Sequence, residues 1–203
     1  MSDPNKPVPY TAKFHDSRQM YNREYMDEDQ RFAAARPDVL VYRTEVLKDS
    51  LTIVGPIEAE LYVSTTGTDA DWVVKVIDVF PDSAANPKPN PQQFEMGGFQ
   101  QLIRGEIMRG KFRNSYEHPE PFKPGEITKV KITLQDVAHT FLKGHKIMVQ
   151  IQSSWFPFFD RNPQTFCNIY NASENDFQKA THRVYHSVKY PSAIKIQLLK
   201  EKK

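Results

Sequence analysis

The 203-residue sequence predicts an all-β fold, a β-sandwich or jelly roll of many short strands, with an extended, partly helical N-terminal arm. Three observations carry this. Aromatic residues make up 12% of the chain, and 15 prolines stand against 8 glycines, a balance that suits strands joined by rigid turns better than packed helices. Short runs of period-two alternation recur from Val39 to the C-terminus. Turn signals such as Pro124-Gly125 separate several of them. A hydrophobic content of 39% over this length is enough for one sizeable core.

The elements follow in order. Residues 1–38 read as a linker and wrapping arm: polar and extended at first, then Ser17 to Ala35, where Met20, Tyr21, Tyr25, Met26 and Phe32 permit one short amphipathic helix. Residues 39–203 read as the sandwich. Ile57, Ala59, Leu61 and Val63 alternate with Glu58, Glu60, Tyr62 and Ser64, the pattern of a half-buried strand. Trp72 to Phe80 is a second strand, placed centrally because an apolar run interrupted only by Lys75 and Asp78 needs cover on both faces. Pro81 to Pro91 holds four prolines in eleven residues and is a surface loop. Further strands are predicted at Gln100–Arg109, Lys129–Leu134, Lys146–Ser153, Phe166–Tyr170, His182–Ser187 and Ala193–Leu199.

Charge and cysteine narrow the function classes. The net charge is +2 and the basic residues are scattered, so nothing marks a nucleic-acid footprint. Cys167 stands alone, without a partner for a disulfide or a ligand set. No run approaches the roughly 18 apolar residues that cross a bilayer, and a soluble chain without a membrane partner is expected. The proline-rich opening, Met1 to Tyr10, has the composition of an interdomain linker, which places a cut between domains at Met1.

The chemical motifs of enzymes are missing. No Gly-x-Ser-x-Gly turn surrounds any glycine, and neither Gly-x-Gly-x-x-Gly, a phosphate-binding glycine loop nor His-Glu-x-x-His occurs. No catalytic residue, cofactor or metal is therefore assigned. His139 and His145 fit no strong metal-ligand spacing and read as hydrogen-bonded packing residues. Asp69 and Asp71 resemble a miniature cation loop, yet the chain runs straight into a strand after them, so they read as aspartates that cap a turn through backbone amides. In the loop Gln152 to Pro163, Trp155, Phe156, Phe158 and Phe159 accompany Asp160 and Arg161, a pair able to brace a turn by bidentate bonds. An aromatic contact patch is the alternative use of that loop.

Taken together, Asp29-Gln30-Arg31-Phe32, Arg36-Pro37-Asp38-Val39-Leu40, Gly55-Pro56-Ile57, Ser64 to Asp71, Val74 to Val79, Arg109 to Arg113, His139-Thr140-Phe141, Gly144 to Ile147, Ser153 to Pro157 and Asp160 to Pro163 carry a resemblance that spans nearly the whole chain in order. The chain resembles the C-terminal domain of the X-Pro dipeptidyl-peptidase, cocaine esterase and α-amino-acid ester hydrolase superfamily, most strongly its ester hydrolase and glutaryl-7-aminocephalosporanic-acid acylase branch. The resemblance implies a jelly-roll sandwich, similar to galactose-binding-like domains, that follows an α/β-hydrolase domain carrying a Ser-Asp-His triad and a helical cap, with no triad position in this chain. It implies partners within the same parent chain, a homo-oligomer as a further option, and a parent suited to the bacterial periplasm or to secretion. Tyr25, Asp29, Gln30 and Phe32, with Trp155 and Phe156, are the candidates for an interdomain edge that borders the parent's substrate pocket. Asp69, Asp71, Asp78, His139, His145, Asp160 and Arg161 are carried as structural motif residues. Truncation is expected to expose apolar surface on the arm and around Trp155. A free-standing carbohydrate-binding module remains a competing reading, which requires a flat, exposed Trp72 or Trp155.

Overall fold

The computed structural model describes residues 1–12 and 23–200, and two antiparallel sheets packed face to face account for most of it. Met20 and Tyr21 of the expected helix lie outside the described residues. The strands are β1 (Leu40–Arg43), β2 (Leu51–Thr65), β3 (Asp71–Val79), β4 (Gln100–Arg109), β5 (Thr128–Phe141), β6 (Lys146–Gln152), β7 (His182–Tyr185) and β8 (Ala193–Lys195). One sheet has the order β1-β6-β3-β4 and the other β5-β2-β7, with β8 also on β2. The expected sandwich is present, and no helix among the described residues is long and apolar enough to cross a membrane.

The core lies between the sheets and follows the alternation. Ile57, Ala59, Leu61 and Val63 of β2 and Val130, Ile132 and Leu134 of β5 face Trp72, Val74 and Val76 of β3, all nearly without exposure. β5 extends seven residues past the expected Leu134. The reason is a bulge: Gly55 pairs with Val137 but Ile57 pairs with Leu134, so inward positions change from even to odd and continue as Val137 and Phe141. Gly55, at φ 81°, accommodates the backbone there.

Phe166–Tyr170 is not a strand. Its amides are claimed locally, Phe166 N–H by Thr68 Oγ1 at 2.8 Å and Tyr170 N–H by Asn168 Oδ1 at 3.1 Å, and a 3-10 turn runs from Ile169 to Asn171. β7 and β8 are shorter than expected, but the chain after β8 keeps to β2 through Val54 N–H to Gln197 O and Leu199 N–H to Thr52 O.

The arm covers the outer face of the β1-β6-β3-β4 sheet. Its first residues pair with the loop after β6: Phe156 N–H donates to Val8 O and Tyr10 N–H to Phe156 O. A 3-10 turn (Arg23–Met26) and a one-turn helix α1 (Arg31–Ala34) complete it. Trp155 is 3% exposed, so it serves the interior rather than the alternative contact patch, because Tyr25 and Phe158 pack edge-on to its ring at 6.2 and 5.2 Å between centroids. Its other neighbour is Gly105 of β4, where a Cβ would stand 2.8 Å from the indole ring. Gly105→Val should therefore lower the free energy of unfolding by about 1–3 kcal/mol in urea melts through overpacking, despite the strand preference of valine. An unchanged or raised stability would show that the ring does not rest there.

Candidate functional site

The most unusual group is Lys75, at the middle of β3 and fully buried. Its strand neighbours are Gly105 and Gln150, and the small Gly105 leaves room for the Trp155 indole to lie over the lysine, 4.8 Å from the ammonium nitrogen to the ring centroid. Phe32 stands 5.9 Å away. The ammonium donates to Gln30 Oε1 at 3.0 Å. Burial pushes the Lys75 pKa down to about 7, opposed by the negative charge of Glu28.

Gln30, also fully buried, spends its polar atoms on holding the arm to the sheet. Its N–H donates to Gln100 O at 2.9 Å, its Nε2 to Glu28 O at 2.9 Å, and its carbonyl accepts from Gln150 Nε2 at 3.3 Å. So Tyr25, Gln30 and Phe32 face the sheet and Trp155, and the structure brings these four expected edge residues into one interior cluster. Phe156 is half-buried and lies under the Arg161 guanidinium, 5.9 Å away.

Asp29 points the other way. Its Oδ1 accepts from Arg31 N–H at 3.0 Å and Gln100 N–H at 3.3 Å, and its Oδ2 pairs with the Arg31 side chain. Arg31 in turn donates to Gly97 O and Glu95 O. Asp27, Glu28, Asp29 and Arg31 form one wall, and Gln92, Gln93, Phe94 and Glu95 the other, of an open cleft of about 570 Å³.

The remaining motif residues serve the frame. Asp78 of β3 reaches across the sandwich, taking His139 Nε2 of β5 on Oδ2 at 2.9 Å and His145 Nδ1 on Oδ1 at 2.8 Å. This one carboxylate ties both sheets and the β5–β6 turn, the packing role expected for the two histidines. Asp69 caps as expected, accepting from Ala70 N–H at 2.8 Å and Lys111 N–H at 3.1 Å. Asp71 does not: it is paired with Arg109 Nε and a terminal guanidinium nitrogen at 3.2 Å each and with Asn162 Nδ2 at 2.7 Å. Burial raises the Asp71 pKa to about 6 against the pull of Arg109. The Asp160–Arg161 pair does not form either. Arg161 donates to Pro4 O at 3.2 Å and lies over Phe177 at 4.8 Å, while Asp160 offers its backbone carbonyl to Arg109. A guanidinium has more to gain from a buried carbonyl and a ring than from a neighbouring exposed carboxylate.

None of these clusters is a nucleophile with its base. The ring nitrogens of His139, His145 and His182 with hydrogen bonds meet Asp78 and Gln164, never a serine. Both tryptophans are interior, Trp72 at 2% and Trp155 at 3%, which leaves the sugar-binding alternative without its flat exposed ring.

The class the fold defines is a two-sheet antiparallel β-sandwich with a strapped-down N-terminal arm. The family model of the X-Pro dipeptidyl-peptidase C-terminal non-catalytic domain matches residues 6–195, and the chain belongs to that family. It is 35% identical over 201 residues to the cocaine esterase of Rhodococcus sp. (strain MB1 Bresler), covering 98% of this chain and 31% of that protein. The crystal structure of an aminopeptidase from a marine sediment archaeon (Thaumarchaeota archaeon) superposes with a TM-score of 0.89 at 45% identity. That of an α-amino acid ester hydrolase superposes with 0.88 at 42%. Each covers 98% of this chain, which spans 32% of the other. A CocE/NonD family hydrolase from Staphylococcus aureus shares the fold, with a TM-score of 0.58 at 17% identity. The chain thus spans about a third of the length of the relatives it matches.

Two outcomes test the cluster. The unfolded chain keeps the Lys75 proton up to the ordinary value near 10.5, whereas the folded chain releases it near 7. Between these values the unfolded state holds more protons, so stability should rise with pH by at most about 1.4 kcal/mol per unit and level off below 7. Urea melts from pH 6 to 10 should show this rise, and Lys75→Met should remove it; an equal rise in the variant would contradict the burial. Asp78→Ala strands two imidazoles and should cost about 2–4 kcal/mol by the same melts. A loss below 0.5 kcal/mol would deny the carboxylate its bridging role.

Proposed function

We propose that this domain works inside a longer serine hydrolase, behind an α/β-hydrolase domain and its helical cap, as support for those domains and as one border of their substrate pocket. The observation that carries this is the 98% coverage of the chain by a third of a cocaine esterase, an aminopeptidase and an α-amino acid ester hydrolase, the last two at more than 40% identity. The absence of a Gly-x-Ser-x-Gly turn fits a domain that leaves bond-making to other parts of its chain. Substrates of the ester, acyl-amide or X-Pro dipeptide class are proposed for the parent.

The physical contribution is burial and shape. A sandwich can close one wall of an active site and exclude water without touching the reacting atoms. Of the proposed edge residues, Asp29 is the one whose carboxylate lines an open cleft, and the arm that carries it is fixed from behind by Gln30 and Lys75. We therefore assign Asp29 and its cleft to the pocket border, and Tyr25, Gln30, Phe32 and Trp155 to its support.

The 203-residue chain should show no turnover of p-nitrophenyl or amino-acid esters. The parent should show turnover that a serine-directed reagent abolishes. Ester hydrolysis by the isolated chain, blocked by the same reagent, would overturn the proposal. In the parent, Asp29→Asn should change KM for the preferred ester and leave kcat in place; identical constants would put the cleft away from the pocket.

A further inference from the structure

The two long sides of the sandwich differ. On one, Arg104 of β4 reaches over to β5 and donates to Asp136 O at 2.9 Å, which draws the sheets together. On the other, β1 ends one sheet and β8 lies at the margin of the second, and the Tyr42 ring of β1 meets His186 edge-on across the gap, 6.3 Å between centroids. Between the sheets run two hollows of about 230 and 300 Å³, joined through shared walls at Tyr42, Val149 and Ile194. Ile53, Leu61, Val76 and Phe141, core residues of 2% exposure or less, form the floor. At the rim Tyr42 is 38% exposed. Core side chains that look into an open cleft lack the dispersion contacts of a closed interior, and apolar openings of this kind mark contact surfaces.

We infer that this open side is a docking groove for an apolar stretch of the parent chain, from the part that lies outside these residues, laid along the free edge of β1. The inference rests on the reading that the domain works within a longer hydrolase, and two observations choose this occupant over a second copy of the domain. About two-thirds of the length of the relatives is not represented here, so a parent of that size has a large unplaced portion. The matching family domain is C-terminal, so that portion precedes this one. A small depression lined by Met1 and Ser2 shares Ile151 and Val184 with the nearer hollow.

The β1 edge suits an extended guest. Leu40–Arg43 pairs on one side only, with Met148–Ile151 of β6, which leaves its outer edge able to add a strand. A guest there would set alternate side chains over Tyr42 and Ile194 and close the sandwich as Arg104 closes the opposite side.

Cysteine accessibility tests the groove with mild substitutions. In a Cys167→Ser background, Ala193→Cys places a thiol on the exposed wall of the nearer hollow, Tyr42→Cys places one on its rim, and Val188→Cys, at a fully exposed position, is the control. Maleimide labelling is compared between the 203-residue chain and the active parent. At positions 193 and 42 the parent should label at least about tenfold more slowly, and at 188 equally. Equal rates at 193 and 42 in an active parent overturn this inference and leave the proposed function standing. Protection within the 203-residue chain that grows with its concentration assigns the groove to a second copy and also overturns it. If no hydrolase portion precedes Met1 in the gene, the proposed function itself fails.

Discussion

The arm, the aromatic loop and the outer face of one sheet meet at a single buried lysine. Lys75 sits where an apolar strand would ordinarily carry valine or isoleucine, and an ammonium at that depth is costly unless something receives it. Gln30 supplies a hydrogen bond and Trp155 a ring face, and each is fixed by other contacts: Gln30 by Gln100, Glu28 and Gln150, Trp155 by Gly105, Tyr25 and Phe158. Removing any one of them leaves a polar atom or a ring without its place. A valine at position 75 would pack against an arm in many registers, whereas a lysine needs its acceptor at one point. The amino group, which donates to Gln30 Oε1, therefore specifies where the arm docks more than it adds stability.

The same reasoning places Asp78 at the far end of β3. One strand thus carries two buried charged groups on opposite faces: Lys75 ties the sheet outward to the arm, and Asp78 ties it inward to the second sheet through His139 and His145. Such a frame can present the cleft beside Asp29 in a fixed position. A domain that borders another domain's pocket needs this, since a border that shifts by an ångström changes what fits.

Much of this fold was legible from alternation. The β2 run from Ile57 to Val63 and the β3 run from Trp72 to Phe80 both appear as read, and the interruptions at Lys75 and Asp78 rightly implied cover on both faces. What alternation missed has local causes. The bulge at Gly55–Ile57 reverses parity, which hid the second half of β5. Asn168 and Thr68 capture the amides of Phe166–Tyr170, whose β-branched and aromatic content suggested a strand. The partners of Lys75, Asp71 and Arg161 lie 45, 91 and 157 residues away in sequence, and no spacing rule reaches that far. For the same reason the sequence left two uses open for the loop around Trp155: the Tyr25 and Gly105 that enclose the ring are distant in the chain. Which of the candidate edge residues face inward became visible only in three dimensions, where Tyr25, Gln30, Phe32 and Trp155 cluster and Asp29 lines the cleft.

The account depends on Lys75 being enclosed by the arm in solution, and its own titration reports this most directly. With lysine labelled by 13C at Cε, the Lys75 resonance followed from pH 5 to 11 should show a midpoint near 7, apart from the other lysines. A midpoint at the ordinary value near 10.5 would mean that water reaches the ammonium, and that the arm is not pinned by it.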